Sequence, residues 1–314
     1  MDLHKKTLTF THISNAAKGI VKYIDDRRNH RIESFKTRWP KFNRMCMGGI
    51  ESNVVYTIAG VSGSGKSAMA NMIETDIIDL NPGKDVVVLS FSFEMLSEKQ
   101  VGRKISSCVY KPVSELYSAN EDLSDEDFAR VQTASARIGR YPIYYVDNPG
   151  SVEEIENTID YFYENYAKGK YFIILLDHNL LVNRNGKSTL DTISDLQKVF
   201  IRVKKLPLTT IIQLSQMNRN IESPERINNP ANHYPMRSDL SSADSIYQAS
   251  DYVFCIHRPD LYNIRAYGLD RLVVKNKVYL HLLKIRDGEG SNLVFDNELW
   301  KGNLKECELE QVVD

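Results

Sequence analysis

The chain has 314 residues, of which 42% are hydrophobic and 26% are charged. These proportions are ordinary for a globular protein and exclude general disorder, and the length suits one large α/β domain with an appendage. The formal net charge of −1 provides no global attraction to nucleic acid, so any contact with DNA has to come from local loops.

The distribution of apolar residues, cysteines and histidines argues against further classes. No apolar run approaches the roughly 20 residues of a membrane span, and the N-terminus lacks the apolar core of a signal peptide. We therefore expect a cytoplasmic protein with no membrane partner. Since the four cysteines and seven histidines show no ligand spacing, metal chemistry should be limited to nucleotide-bound Mg²⁺.

In chain order, the first predicted element is a short amphipathic helix at about residues 13–29, with Ile20, Val21 and Ile24 on one face. A mostly polar stretch follows at residues 30–37. Such a helix either packs on its own domain or reaches a neighbouring subunit, and the sequence does not choose between the two. We divide the chain into an N-terminal segment at 1–34, a main domain at 35–300 and a C-terminal tail at 301–314.

The second predicted element is an apolar strand that begins at Val54 and runs into G-x-x-x-x-G-K-S at residues 60–67, where a helix starts. The glycines allow the backbone to fold around a polyphosphate, and the helix directs its free N–H groups and positive dipole end at that anion. Lys66 is expected to reach the β- and γ-phosphates, and Ser67 to place its hydroxyl on Mg²⁺. The motif predicts binding of a nucleoside triphosphate, a property that kinases, transporters and GTPases share. The predicted nucleotide-binding residues are Gly60, Ser62, Gly63, Ser64, Gly65, Lys66, Ser67 and Ala68.

Beyond this motif, strand-like apolar runs alternate with helical patterns, which favours an α/β fold with a mostly parallel central sheet and helices on both faces. Ser124 with Asp127, and Ser151 with Glu154, each resemble a helix N-cap followed three residues later by an acid. The predicted strands are 86–91, 143–146, 171–176, 209–214, 252–256 and 278–283. The predicted helices are 66–80, 97–108, 125–138, 152–166 and 190–205.

Two carboxylates follow predicted strands. Four apolar residues at 173–176 precede Asp177, which is the Walker B pattern, in which a buried strand delivers a carboxylate that holds Mg²⁺ through its waters. Glu94 ends the strand that starts at Val86, where P-loop enzymes usually place the base that polarises the attacking water. A capping role for Glu94 on the helix that starts at Ser97 fits the residues equally well.

Five sequence blocks in a fixed order identify a protein family more specifically than any one block does. They are residues 92–98, 177–178, 215–219, 238–240 and 284–288. They resemble the S-L-E-M, I-D-Y, S-Q-L-N-R, S-D-L-R-E-S-G and K-x-R-x-G elements of the DnaB-like replicative helicase family. The resemblance covers about residues 35–295. It implies that the main domain is the family's RecA-like P-loop ATPase motor, with ATP and Mg²⁺ as cofactors, in a minimal phage-like form without the N-terminal primase-interacting domain.

The resemblance also implies roles for individual residues. Glu94 matches the catalytic glutamate, and Gln216 matches the glutamine that senses the γ-phosphate and relays the nucleotide state to the DNA loops. Lys284 and Arg286 match basic residues that act across the subunit interface. Alternation along a strand puts both side chains on one face, where a guanidinium neutralises charge that develops on a neighbour's γ-phosphate. We therefore expect a homo-oligomer, in the form of a hexameric ring.

Two loops are expected to bind the phosphate backbone of single-stranded DNA, because both emerge from the carboxyl ends of central strands. The first loop, at 183–189, contains Arg184 and Lys187, and the second, at 220–242, contains Arg226 and Arg237. Ser241 stands where the family has a backbone-gripping arginine, and an acid, Asp244, follows it, so the second loop has a weaker expected grip. His178 replaces the family's tyrosine after Asp177.

The leading hypothesis is a ring-forming ATPase that acts as a helicase or translocase on single-stranded DNA in replication, in the host cytoplasm if a phage encodes it. A primase or a helicase loader is a further expected partner. One alternative is a RecA-type recombination or annealing ATPase that binds DNA without unwinding it. Another is a nucleotide-gated assembly or loader protein. Directional unwinding of a forked duplex separates the first hypothesis from both alternatives.

Overall fold

The computed structural model describes residues 9–120, 122–241 and 243–312. The predictions that fall on residues 1–8, on Ser242 at the end of the second loop and on residues 313–314 lie outside the described residues. The chain forms two compact units, Met1–Ser34 and Phe35–Asp314, and each is described on its own.

The first unit contains the helix α1 (Ile13–Arg28), which confirms the predicted helix. The His12 side chain accepts a hydrogen bond from the backbone N–H of Ser14 and so caps the first turn. The helix buries none of its residues. Its predicted apolar face is exposed along Ile20, Val21 and Ile24.

The second unit is an α/β structure that confirms the predicted fold class. Its described strands are β1 (Val55–Gly60), β2 (Val86–Ser92), β3 (Ile143–Val146), β4 (Tyr171–Asp177), β5 (Thr209–Gln216), β6 (Tyr252–His257), β7 (Ala266–Tyr267), β8 (Leu272–Val273), β9 (Lys277–Ile285), β10 (Leu293–Glu298) and β11 (Asn303–Cys307). The main sheet has the order β11-β10-β9-β6-β1-β5-β4-β2-β3, and β7 pairs with β8 separately. From β6 to β3 all neighbours are parallel, whereas β9, β10 and β11 join in antiparallel pairs. The carboxyl ends of six strands therefore meet at one edge of the sheet.

Helices cover both faces of this sheet. The described α-helices of the second unit are α2 (Pro40–Met45), α3 (Lys66–Asp79), α4 (Ser97–Val109), α5 (Val113–Leu116), α6 (Asp125–Ile138), α7 (Val152–Phe162), α8 (Thr189–Val203), α9 (Pro224–Ile227) and α10 (Ala243–Ala249). Alternate residues of β4 face the two cores, because successive side chains of a strand point to opposite faces. Ile173 and Leu175 pack in the core that contains α3, and Ile174 and Leu176 pack in the core that contains α7 and α8.

The predicted helices and strands are confirmed to within a few residues, including both N-caps: Ser124 accepts from Asp127 N, and Ser151 forms a capping box with Glu154. The predicted helix at 152–166 divides into α7 and a π-helical turn at Tyr163–Ala167. None of the helices in the described ranges combines the length and the apolar character that crossing a membrane requires.

The structure adds two antiparallel strands, β10 and β11, that the sequence pattern did not predict. Both are short and carry charged residues such as Asp296 and Lys305, which weakens their apolar signal. The buried Trp39 indole fixes β11 by donating a hydrogen bond to Leu304 O at 2.8 Å. The segment predicted as a tail at 301–314 thus contributes a strand to the sheet.

Candidate nucleotide-binding site

The loop after β1 closes tightly at its two flanking glycines. A Cβ at Gly60 would lie 2.4 Å from Ser64 Oγ and 2.7 Å from Ile256 O, so a larger residue does not fit there. Gly65 is the N-cap of α3 and has a φ of +106°, a conformation that L side chains rarely adopt. The backbone therefore wraps around the N-terminus of α3, where unpaired N–H groups and the helix dipole favour an anion.

The Lys66 ammonium lies inside this loop. It donates hydrogen bonds to Gly60 O at 2.9 Å and to Val61 O at 2.8 Å. Burial lowers the pKa of Lys66, and the nearby carboxylates of Asp177 and Glu94 partly offset this effect. Because a buried ammonium bound to neutral carbonyls is incompletely compensated, an added anion such as a phosphate stabilises it.

Asp177, at the end of β4, supplies a carboxylate to the same site. Burial raises the pKa of Asp177 to about 6, and a hydrogen bond with Ser67 partly opposes the shift. Within the described residues, Asp177 Oδ1 and Ser64 Oγ are buried without a hydrogen-bond partner. Buried polar atoms normally have partners, so these two indicate groups that a ligand or ion satisfies.

The residues fit an Mg²⁺ ion that arrives with a nucleotide. Mg²⁺ usually takes one or two protein oxygens and completes its octahedron with phosphate oxygens and waters. The Ser67 hydroxyl and the Asp177 carboxylate are two protein oxygens of this kind, and they lie close together at this site. Across the described ranges, no group of three or more His, Cys, Asp or Glu side chains is arranged to hold a metal on its own.

Glu94 lies beside Asp177 because β2 and β4 are neighbours in register. Ser92 pairs with Asp177, and Phe93 N donates to Asp177 O at 2.9 Å. The Glu94 side chain is 53% exposed, and its Oε2 lies 3.9 Å from His178 Nε2. The N-cap position of α4 is Leu96, so the structure does not place Glu94 as the cap of that helix. The Glu94 side chain instead lines the cavity, next to Asp177.

Gln216 connects this site with the second loop. It pairs with Gly60 across β1 and β5. Its backbone oxygen accepts a hydrogen bond from Ser241 N at 3.1 Å, and Met217 forms a bridge with Leu240. A displacement of Gln216 therefore affects both the phosphate loop and the base of the 220–241 loop.

Lys66, Ser67, Glu94 and Gln216 line a cavity of about 520 Å³, which is also lined by residues that the sequence did not predict. Arg103 on α4 lines it, as does Arg258, whose Nη1 donates to Gly63 O at 3.4 Å. Trp300 lines it from the turn between β10 and β11 and is 59% exposed. The sequence signal that could have indicated Arg258 is its position just after a predicted strand, since the ends of parallel strands form the site.

A larger groove of about 690 Å³ lies near the amino ends of β2 and β4, at the sheet edge away from Lys66.

Lys284 and Arg286 lie at that opposite edge of the sheet. Ile285 pairs with Tyr252, which pairs with Tyr56, and Gly60 lies four residues further along β1. At about 3.3 Å per residue this is a separation of about 13 Å, to which the phosphate loop adds more. The two cations therefore do not complete the phosphate site of their own chain.

The first predicted DNA-binding loop leaves its basic residues at the surface. Lys187 forms an ion pair of 2.7 Å with Asp195 while 57% of its side chain stays exposed. Arg184 Nη1 donates to Thr189 Oγ1 at 3.1 Å. Exposed pairs of this kind are worth about 1 kcal/mol or less. A phosphate can therefore replace Asp195 as the partner of Lys187, or Thr189 as the partner of Arg184.

The second loop gives Arg226 a role that differs from the predicted DNA contact. Its Nη1 forms a 2.6 Å ion pair with Asp239, and its Nη2 donates to Tyr234 O at 2.5 Å. The side chains of Arg226 and Asp239 are only 13% and 1% exposed. The guanidinium therefore holds the loop together from inside. Arg237, in contrast, is 51% exposed and pairs with Asp244 at 2.6 Å.

Comparisons with known proteins agree with this arrangement. The family described as DnaB-like helicase C terminal domain matches residues 34–301. The replicative DNA helicase DnaC of Bacillus subtilis (strain 168) is 24% identical over 290 residues, which cover 90% of this chain and 59% of that protein. The replicative DNA helicase DnaB of Geobacillus stearothermophilus is 25% identical over 240 residues, which cover 75% of this chain and 50% of that protein. The chain thus spans half to three fifths of the length of these relatives.

Solved structures show the same fold. The ATPase domain of G40P superposes with a TM-score of 0.80 at 22% identity, over 96% of this chain and 100% of that one. A DnaB-like replicative helicase, solved in a study of its interactions with primase, gives a TM-score of 0.77 at 22% identity, over 93% of this chain and 66% of that one.

Proposed function

Because the chain belongs to the DnaB-like helicase C terminal domain family, we propose that it is the ATP-hydrolysing motor of a DNA helicase that acts on single-stranded DNA in replication. One observation carries the proposal. Lys66, Ser67, Glu94, Asp177 and Gln216 stand at or just after the ends of four strands, and the fold brings them to one edge of the sheet, where all but the buried Asp177 line one cavity. These are the groups that phosphoryl transfer to water requires.

Each side chain has a chemical task in this proposal. The N–H groups of the loop after β1 and the Lys66 ammonium bind the β- and γ-phosphates of ATP. Ser67 and Asp177 hold Mg²⁺, which neutralises charge on the phosphate oxygens. Glu94 orients a water and accepts its proton, and Gln216 contacts the γ-phosphate region and transmits its state to the 220–241 loop.

The other part of the site comes from a second copy of the chain. Lys284 and Arg286 do not reach their own phosphate loop, and both lie at an edge that a neighbour can approach. An arginine supplied in trans stabilises transition-state charge and is worth roughly 10³–10⁵ in rate. A closed ring, a hexamer in this proposal, gives every site such a partner.

Single-stranded DNA is the proposed nucleic-acid partner, bound by Arg184, Lys187 and Arg237 through its phosphates. Arg226 supports the loop from inside and is not among the proposed contacts. The contacts are sequence-independent and weaken with salt, because they replace counterions around the backbone. A primase or a helicase loader is a further proposed partner, and the cytoplasm is the proposed location.

The test is ATP turnover with and without oligo-dT, followed by strand separation on a forked duplex. We expect DNA-stimulated turnover and ATP-dependent unwinding. Stimulation without unwinding favours a RecA-type recombination or annealing ATPase. Turnover that DNA does not change favours a nucleotide-gated assembly or loader protein.

A further inference from the structure

The C-terminal end of α10 and the turn after it contact both cations that are proposed to act on a neighbouring copy. Lys284 Nζ donates a hydrogen bond to Tyr247 O and lies 4.9 Å from the centre of the Tyr247 ring. Arg286 Nε lies 3.0 Å from Asp251 Oδ1, in the turn between α10 and β6. One short segment of the chain thus holds both side chains.

The Asp251 carboxylate is itself firmly anchored. It accepts hydrogen bonds from Lys204 Nζ at 2.9 and 2.7 Å and from Val55 N at 2.9 Å, and only 9% of its side chain is exposed. Arg286 meets this fixed acid through Nε, while 49% of its own side chain stays exposed. Since a guanidinium is a rigid plane, holding Nε fixes the orientation of the whole group while its exposed part keeps donors available to another partner.

Tyr247 joins these cations to the second loop. The Arg237 guanidinium lies 4.4 Å from the centre of the same ring that Lys284 contacts. The Tyr247 hydroxyl also donates to Leu283 O at 3.0 Å, which ties α10 to β9 next to Lys284. Cation–π contacts of this kind are worth about 0.5–2 kcal/mol, enough to hold a side chain but weak enough to rearrange.

We propose that Tyr247 and Asp251 are positioning residues that present Lys284 and Arg286 to the nucleotide of the neighbouring copy, and that Arg237 links their position to the DNA-binding loop through the Tyr247 ring. The inference rests on the proposed function, in which these cations act in trans. When DNA draws Arg237 away from the ring, the ring and Lys284 are free to shift. DNA bound to one subunit thereby changes ATP hydrolysis in the next.

Tyr247→Leu tests the positioning role, with Tyr247→Phe as the conservative variant and Tyr161→Leu, an exposed tyrosine on α7, as the matched control. We expect Tyr247→Leu to lower kcat for ATP about tenfold, with the KM for ATP nearly unchanged because its own phosphate loop is intact. Tyr247→Phe keeps the ring and retains most of the turnover, and Tyr161→Leu behaves as wild type. Wild-type kcat in Tyr247→Leu overturns the inference.

Subunit mixing distinguishes a positioning role from general damage. Tyr247→Leu subunits have a sound phosphate loop, and Glu94→Gln subunits have sound trans-acting cations, so mixed rings regain turnover if the defect acts on a neighbour. Arg286→Ala mixed with Glu94→Gln is the reference. If the reference mixture regains turnover and the Tyr247→Leu mixture does not, the inference is wrong. If the reference mixture also fails, the proposed trans action is wrong and the inference falls with it.

Arg237→Gln tests separately whether Arg237 links the DNA-binding loop to Lys284 through the Tyr247 ring. If Arg237 acts through Tyr247, the maximal oligo-dT-stimulated rate falls even at saturating DNA. If Arg237 only grips the DNA backbone, the half-saturating oligo-dT concentration rises while the maximal rate is unchanged, and that result contradicts the link.

Discussion

At Asp177, burial and the proposed metal binding act in opposite directions on the ionised form of the carboxyl. The side chain is buried, so its ionised form is unstable in the free protein, and its pKa rises to about 6 from 3.8. The native state therefore holds a proton that the unfolded chain has lost between these two pH values. The stabilisation that results is complete below about pH 4 and is lost as the pH rises through about 6.

Asp177→Asn removes this ionisation while it keeps the size of the side chain. We expect the variant to be more stable than wild type at pH 8, by up to about 3 kcal/mol, and to show little of this gain near pH 4. Urea unfolding at both pH values measures the difference, and Asp122→Asn, at an exposed site, is the control. The same variant should lose Mg²⁺-dependent hydrolysis. An equal stability difference at both pH values would show that ionisation is not the cause.

Glu94 is the second residue whose role can be isolated. Glu94→Gln preserves shape and hydrogen bonding but cannot accept a proton, so we expect kcat to fall about 10²–10⁴-fold while ATP still binds. Single-turnover hydrolysis and nucleotide binding measure the two effects separately. Glu98→Gln, four residues along at an exposed position, should hydrolyse ATP normally. Normal hydrolysis in Glu94→Gln itself would place the base elsewhere.

At this scale the sequence predicts well the residues that belong to a continuous motif. Lys66 and Ser67 follow from spacing alone, since the glycine loop and the helix N-terminus are local structures. Arg258 and Trp300 do not follow from spacing. They join the cavity through the pairing of β6 with β1 and through the antiparallel strands at the far end of the chain, and both are long-range events.

Among the elements, the 220–241 loop differs most from its predicted form. The sequence indicates a polar loop with two arginines available to DNA. The structure shows that the Asp239 carboxylate forms an ion pair with Arg226 and accepts a hydrogen bond from Met236 N at 2.8 Å. The backbone oxygen of Asp239 accepts a further hydrogen bond from Asn218 N at 2.7 Å. Composition alone could not separate an internal arginine from an exposed one, because only the folded loop buries Asp239.

Arg226→Ala and Arg237→Ala give a matched test of this difference. Arg226→Ala leaves Asp239 buried without its cation, so we expect a loss of about 3–5 kcal/mol of unfolding free energy. Arg237→Ala removes an exposed ion pair and should cost about 1 kcal/mol or less. Urea unfolding measures both, and hydrogen exchange should show faster exchange in the loop of the first variant. Equal costs would contradict the buried role of Arg226.

The parallel strands were predictable because buried β-branched and apolar runs give a strong signal. β10 and β11 were not predictable, because short strands with charged residues resemble loops until a neighbour such as Trp39 fixes them.

At the level of the whole molecule, the fold divides the proposed chemistry between two edges of one sheet. The phosphate loop, Glu94, Asp177 and Gln216 lie at the carboxyl edge of the parallel strands. Lys284 and Arg286 lie at the other edge, at the end of β9, where they contact α10 and the turn after it. In the proposed mechanism, one copy of the chain therefore carries two incomplete halves of a site. Assembly, not conformational change within one subunit, is expected to complete it.

The salt dependence of DNA binding tests the proposed role of the first loop. If Arg184 and Lys187 grip phosphates, replacing both with Gln should weaken oligo-dT binding and reduce the slope of log Kd against log salt by about two. Filter binding or fluorescence anisotropy over a range of salt concentrations measures the slope. Replacement of Lys168, an exposed lysine directly after the π-helical turn, should leave the slope unchanged. An unaltered slope in the double variant would move the DNA contact elsewhere.

The most direct test of the composite site is ATP turnover in an equal mixture of Glu94→Gln and Arg286→Ala subunits. Each variant alone should be inactive, the first for lack of a base and the second for lack of a trans-acting cation. If the site is completed between copies, mixed rings contain sites with a normal Glu94 and a normal Arg286 from the neighbour, and a measurable part of the wild-type rate returns. A mixture that stays as inactive as its components, or an Arg286→Ala protein that hydrolyses ATP normally by itself, would contradict the shared site.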